Sequence, residues 1–476
     1  MFWEECYLCP VKRNDDKLGY VPQMLALVIA ILTGLSLFDG FSVGGREYRA
    51  VHLYSELTKG LNNPEEDFSA DNQLWAQMET PVAASPQPDD SLAGTTVPDT
   101  VVVPRPGGVP IEDFSENRNV LAAFFAALDR REELERPVRI AFLGDSFVEG
   151  DILTSDLREY LQERFGGRGV GFVPLAPVDR YRNTLTVDHN GWAVSNSLHG
   201  EHVSRYLFGG QCFAPSLGEA YVKAQATGQR QHSRAFNTVS LLYASDSAAT
   251  LHYTFGRSDE REAVLKTDGT LQLFEATRQD MQAVHFRVVG GEGFTGYGLF
   301  LNDETGVCVD NYSLRSSSGV QLLRIGPNLL SRMNRMLPYD LVILQYGMNV
   351  VEADRRDYSH YAEQMVRVVG RIREAMPDVG ILIFGVGDRS FKDDDGNMAT
   401  KAGVISLVEA QRRIAQQTGV AFWNTYLAMG GRNSMNAFVN QTPALANKDY
   451  AHINYLGGRR IGLAFGEALT DAQRRY

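Results

Sequence analysis

The chain has 476 residues, enough for two or three folded units at roughly 150 residues each. With 44 % apolar and 22 % charged side chains it has the balance of a globular protein, which excludes a wholly disordered chain. Its 58 acidic against 46 basic residues leave a net charge of -12, and no run supplies the concentrated positive charge that nucleic-acid binding needs.

Residues 20–43 are apolar, interrupted only by Pro22, Gln23 and Asp39, and Met24–Phe38 carries no charge. A spanning helix needs about 20 such residues, so the stretch is borderline in length. Lys12, Arg13 and Lys17 precede it and favour a cytoplasmic tail over 1–19. The expectation is a transmembrane signal-anchor at 20–43, with the body of the chain in the periplasm or another extracytoplasmic space. A cleaved signal peptide and a buried core helix are the alternatives, and the absence of a clean A-x-A site weakens the first. Cys6-x-x-Cys9 has no second ligand pair and reads as structurally idle. Cys212 and Cys308 would lie outside the cytoplasm, where they could pair or stay free.

Residues 44–113 are expected to be a linker, largely disordered. From about Leu61 proline, acidic and small residues dominate, and such a segment cannot bury enough apolar surface to offset its ordering entropy. A folded pattern begins at 114. Asn117–Arg131 has helical spacing, Val138–Leu143 is a short apolar run that suits a buried strand, and Asp151–Phe165 again has a helical face. The alternation returns with strands at Leu341–Leu344, Ile381–Phe384 and Val420–Trp423. Helices at Tyr358–Met376, Val404–Gln417 and Tyr455–Leu469 follow them. This predicts an α/β domain with a mostly parallel sheet covered on both faces, made of 114–170 and 306–476. Between them, 171–305 holds short β-rich runs such as Thr184–Val187, Thr238–Tyr243, Thr250–Phe255, Val284–Val289 and Tyr297–Leu301. Their spacing predicts an inserted all-β domain of sandwich or jelly-roll type.

The first strand–helix turn reads Gly144-Asp145-Ser146, which can present a hydroxyl to a cleft near free backbone N–H groups. Asp449-Tyr-Ala-His452 stands just before the last helix. A serine hydroxyl becomes a nucleophile when a base takes its proton, and the base works better when a carboxylate orients it. Gln345-Tyr-Gly-Met-Asn349 ends another strand, and Asp310–Gly319 reads as a further strand-end turn rich in small residues. The C-terminal ends of parallel strands share the edge where ligands bind.

This ordered set resembles the SGNH/GDSL hydrolase superfamily, with Gly144-Asp145-Ser146, the Ser313–Gly319 loop, Gly347-Met-Asn349 and Asp449-Tyr-Ala-His452 as its blocks. The resemblance covers about 117–170 and 306–476. It implies a three-layer fold with Ser146 as nucleophile, His452 as base and then acid, and Asp449 as its orienting partner. The Ser146 amide, the Ser316 or Gly319 amide and the Asn349 side chain would form the oxyanion hole. Ser316 aligns where the family places glycine, which a backbone donor tolerates unless the turn requires positive φ. No metal or cofactor is implied.

A β insert on an exported chain is also similar, in architecture, to bacterial peptidoglycan and polysaccharide O-acetylesterases, which implies an acetylated envelope glycan as substrate. Asp145 and Trp192 are candidates for contacting it, and Tyr181 and Tyr206, like Trp192, could supply sugar-stacking faces. Asp393-Asp-Asp-Gly-Asn397 lacks the later glutamate of a calcium loop, His199-Gly-Glu-His202 lacks the spacing of a zinc helix, and Gly166–Gly171 reads as a plain loop. Two rival functions remain: an O-acetyltransferase using the same triad, and a non-catalytic glycan-binding envelope protein.

Overall fold

The computed structural model describes residues 41–43, 46–48 and 108–476, except 199–204, 217, 291–292 and 394. Residues 1–67 and 68–476 are separate compact units. In the first, Phe41–Val43 and Arg46–Tyr48 pair as an antiparallel hairpin. The last three positions of the expected span are therefore strand rather than helix, and the strand Arg46–Tyr48 falls within the expected linker. Residues 20–40, Cys6 and Cys9 lie outside the described residues. Among the described residues no helix is long and apolar enough to cross a membrane.

The second unit is built on a six-stranded sheet. Its five parallel strands are, in spatial order, Val307–Ser313, Val138–Gly144, Leu341–Gln345, Gly380–Phe384 and Ala421–Trp423. In chain order this is 2-1-3-4-5, so the strand order reverses beside Val138–Gly144. The first four strands lack polar–apolar alternation in burial because both faces are covered, and Val138–Gly144 and Leu341–Gln345 are buried along their whole length. Glu112–Asp113 closes the far edge antiparallel to Ala421–Phe422, and Trp423 Nε1 donates to Val109 O at 2.9 Å. The folded body thus starts before 114, and the last linker positions belong to it. The first helix is shorter than its spacing suggested, Ala122–Asp129, because Ser115 Oγ accepts the Asn119 and Val120 amides in a preceding turn.

Residues 169–302 form two antiparallel sheets around a second apolar core that includes Leu185, Val222, Leu251, Phe286 and Leu299. Gly169–Val173 is the first strand, paired with Thr295–Asn302, so the glycine-rich stretch is part loop and part strand. Positive φ at Gly169 and Gly171, where a β-carbon would sit 2.1 Å and 2.4 Å from Leu301 O and Val309 O, explains why it reads as a loop.

A buried polar cluster joins the two halves. Asp151 and Arg158 have no exposed surface and pair at 3.1 Å, while Thr184 Oγ1, from the β region, donates to Asp151 Oδ2 at 2.6 Å. Asn311 Nδ2 and Thr154 Oγ1 also donate to Asp151, and Arg158 Nε donates to Val309 O at 3.0 Å. Asp310 and Asn311, expected in a turn, instead lie within the strand Val307–Ser313. Asp310 tolerates that burial because Arg139 and Tyr339 Oη donate to it at 2.9 and 2.7 Å.

The last helix, Tyr455–Arg475, is capped by Asn454, whose side chain accepts from the Leu456 and Gly457 amides. It packs against Thr154–Phe165 through a glycine face. A β-carbon at Gly458 would lie 1.9 Å from Ile152 O, and one at Gly462 2.7 Å from Leu153 O. That approach brings the segment before the helix up to the turn that carries Ser146.

Candidate active site

Gly144 ends its strand in a turn so tight that a β-carbon there would sit 2.5 Å from Val148 Cγ2. The turn is held from inside by Asp145. Its Oδ1 accepts the Phe147 amide at 2.9 Å, and its backbone carbonyl accepts the Val148 amide at 3.3 Å. Asp145 has no exposed surface, so it positions the turn and does not touch a substrate as the sequence suggested. Burial pushes its carboxyl up to about 7, against the Phe147 and Met348 amides and the charge of His452.

Ser146 follows, only 9 % exposed, with its Oγ 2.9 Å from His452 Nε2. His452 Nδ1 stands 2.8 Å from Asp449 Oδ2, and Asp449 Oδ1 accepts the Ala451 and His452 amides at 3.0 Å each. Burial alone would raise the Asp449 carboxyl. The His452 ring and the two amides outweigh it and hold the group at about 2. An ionised Asp449 keeps the proton on Nδ1, which leaves the Nε2 lone pair facing the serine hydroxyl.

The neighbouring strand exit carries Asn349. Asn349 Nδ2 donates to Ser317 O at 2.9 Å, tying its amide to the Ser313–Gly319 loop. In that loop Ser316 has φ 62°, so the turn does take positive φ and a serine occupies it nonetheless. Among the described residues the Ser146 and Ser316 amides have no hydrogen-bond acceptor, whereas the Gly319 amide donates to Ser317 Oγ at 3.2 Å and is buried. Gly319 is engaged within the loop, which leaves the Ser316 amide as the open one of the two.

The other sequence candidates fall elsewhere. Tyr206 is fully buried with its hydroxyl 2.8 Å from Ser195 Oγ, so it offers no face to a sugar. Trp192 is half-buried against Phe294 and donates through Nε1 to Tyr221 O, which makes it part of the β core's edge. Tyr181 is 76 % exposed. Cys212 and Cys308 are both buried and free. Asp393 accepts the Asn397 amide at 2.7 Å and closes a hairpin turn, and among the described residues no group of His, Cys, Asp and Glu could hold a metal ion. His199 and His202 lie outside the described residues. A cavity of about 830 Å³, lined by Gln162, Gly167, Arg168, His232 and Asp280, opens where the strands begin. It is separated from Ser146 by the seven residues of Val138–Gly144, roughly 20 Å of strand.

A 2-1-3-4-5 sheet whose reversal point carries Ser146, His452 and Asp449 in a hydrogen-bonded chain, with open amides beside them, resembles the SGNH/GDSL hydrolases. No family description and no curated protein matches the sequence. A solved peptidoglycan O-acetylesterase is similar with a TM-score of 0.62 and 22 % identity, over 77 % of this chain and 99 % of that one. A carbohydrate acetylesterase from Sinorhizobium meliloti is 16 % identical over 35 % of this chain and 79 % of its own, with a TM-score of 0.26. A family two carbohydrate esterase from Cellvibrio japonicus is 9 % identical over 61 % and 99 %, with a TM-score of 0.24.

Proposed function

We propose that the chain is a serine esterase that removes O-acetyl groups from a cell-envelope glycan such as peptidoglycan. The observation that carries this reading is the continuous chain Ser146 Oγ, His452 Nε2, His452 Nδ1, Asp449 Oδ2, with steps of 2.9 and 2.8 Å on either side of the imidazole. As Ser146 Oγ attacks the acetyl carbonyl carbon, His452 Nε2 takes the hydroxyl proton. The Ser146 and Ser316 amides and the Asn349 side chain stabilise the charge that gathers on the carbonyl oxygen. When the tetrahedral adduct collapses, the C–O bond to the sugar breaks and His452 returns its proton to the departing sugar oxygen. Water, deprotonated by the same imidazole, then releases acetate from Ser146 and restores the enzyme. The glycan substrate is supported by the likeness to the peptidoglycan O-acetylesterase, which spans nearly the whole of that protein. An extracytoplasmic placement through an anchor in 20–40 belongs to the same proposal, supported by the apolar run and the basic residues before it.

The test is acetate release from O-acetylated peptidoglycan by the full chain. The expected result is turnover that falls about a thousandfold or more in Ser146→Ala and in His452→Ala. Equal release by the Ser146→Ala variant would overturn the assignment. Acetate appearing on an added acceptor glycan, and not in solution, would convert the reading to acetyl transfer.

A further inference from the structure

Four chain segments meet around Gly150. Arg315, next to the oxyanion donor Ser316, pairs with Glu149 at 2.7 Å. Gly150 O accepts from Tyr455 Oη at 3.1 Å, and Tyr455 is the third residue after His452. A β-carbon on Gly150 would stand 2.8 Å from Asp179 Oδ2, in the first connecting segment of the β region. The nucleophile turn, the donor loop, the base loop and the segment around Asp179 are thus packed into one rim.

Two residues beyond Asp179, at most about 7 Å along an extended chain, stands Tyr181. Its backbone is pinned on both sides. The Tyr181 amide donates to Asp179 Oδ1 at 3.2 Å, and Tyr181 forms an antiparallel bridge with Thr186. The next residue, Arg182, is 8 % exposed, and Thr184 is tied to Asp151. Tyr181 is nevertheless 76 % exposed as a residue, and Val178 on the same segment 78 %. Tyr455 and Leu456 add exposed apolar surface at the start of the last helix. An exposed ring on a fixed backbone at a cleft rim loses little freedom when a ligand covers it.

We propose that Tyr181 is a specificity-determining residue: the first segment of the β region forms a wall of the Ser146 cleft, and the Tyr181 ring is the platform on which the pyranose bearing the acetyl group stacks. The inference rests on the esterase reading above and names which part of the substrate is recognised. A pyranose presents a face of C–H groups that an aromatic ring covers, while its hydroxyls turn toward charged neighbours such as Asp179 and Arg180. A small aryl acetate places its acetyl group at Ser146 and has no sugar ring to stack.

The test compares the full chain with Tyr181→Ala and Tyr181→Phe on an O-acetylated N-acetylglucosamine–N-acetylmuramic acid disaccharide and on 4-nitrophenyl acetate. In Tyr181→Ala the ratio of kcat/KM for the disaccharide to that for the aryl ester should drop about three- to tenfold, with the loss in KM. Tyr181→Phe should keep the wild-type ratio. An unchanged ratio in Tyr181→Ala, or an equal fall on both substrates, overturns the proposal. If the wild type cleaves the aryl ester but no glycan, the substrate reading fails and the platform is judged by binding. Titration of Ser146→Ala with unacetylated chitotriose should then show binding that Tyr181→Ala weakens, and no binding, or equal binding in both, overturns it.

Discussion

Ser316 holds φ 62°, a backbone conformation that costs an L-residue with a β-carbon roughly 1–2 kcal/mol and suits glycine. On the proposed mechanism, what the site needs from this position is its N–H and not its side chain. Ser316→Gly is therefore expected to keep kcat/KM on 4-nitrophenyl acetate within about twofold and to leave the thermal midpoint unchanged or higher. Ser316→Pro removes the donor and forbids positive φ, and should lower kcat about 10²- to 10³-fold. Steady-state kinetics on the two variants, with melting curves, would expose a role for the hydroxyl if glycine failed as badly as proline. The motif residues Ser146, Asn349, Asp449 and His452 were legible in the sequence because each stands at a strand exit or before a helix. The burial of Asp145 and the engagement of the Gly319 amide were not, since both depend on neighbours brought in by other strands.

At the scale of elements, the distance between Ser146 and His452 is set by helix packing. Gly458 touches the carbonyl of Ile152, and no side chain fits between them. Gly458→Ala should push the last helix away from the nucleophile turn and lengthen the 2.9 Å contact between Ser146 and His452. A shift of about 1 Å costs on the order of a hundredfold in rate, so kcat should fall by that order while the chain still folds. Circular dichroism with kinetics checks this, and full activity in the alanine variant would refute the packing argument. The helices and the apolar strands could be read from periodicity because each buries a face or a whole run. Gln272–Met281 shows no legible apolar pattern because half of its side chains are exposed and polar, and Trp192–Asn196 and Gln211–Pro215 are too short to show one. The turn expected from Asp310 to Gly319 starts too early because Asp310 and Asn311, inside the strand Val307–Ser313, read as polar punctuation. Their partners Arg139, Asp151 and Thr154 lie more than 150 positions away, beyond any local pattern.

For the whole molecule, the joint between the parallel-sheet body and the β region rests on Asp151. Burial alone would raise its carboxyl, but the Arg158 and Arg182 guanidinium groups and the hydrogen bonds from Arg158 and Thr184 hold it well below the usual carboxylate range. A carboxyl depressed in the folded state contributes stability that is fully present above its unfolded value of about 3.9 and is lost as acid approaches the folded value. Asp151→Ala would leave the buried Arg158 guanidinium without its counter-charge and should destabilise the protein by about 3–5 kcal/mol at neutral pH. Denaturant unfolding at pH 7 and pH 3 would show the difference from wild type narrowing in acid, and a constant difference would count against this role.

The hydroxyl and the imidazole that meet in the cleft are 306 positions apart. At about 5–20 residues per second, a ribosome makes them roughly 15–60 s apart. Throughout that interval the growing polypeptide owns a nucleophile with nothing to deprotonate it, even if its β region has already folded. On the esterase reading, translation order alone keeps a half-made chain from attacking esters in the cell that is building it.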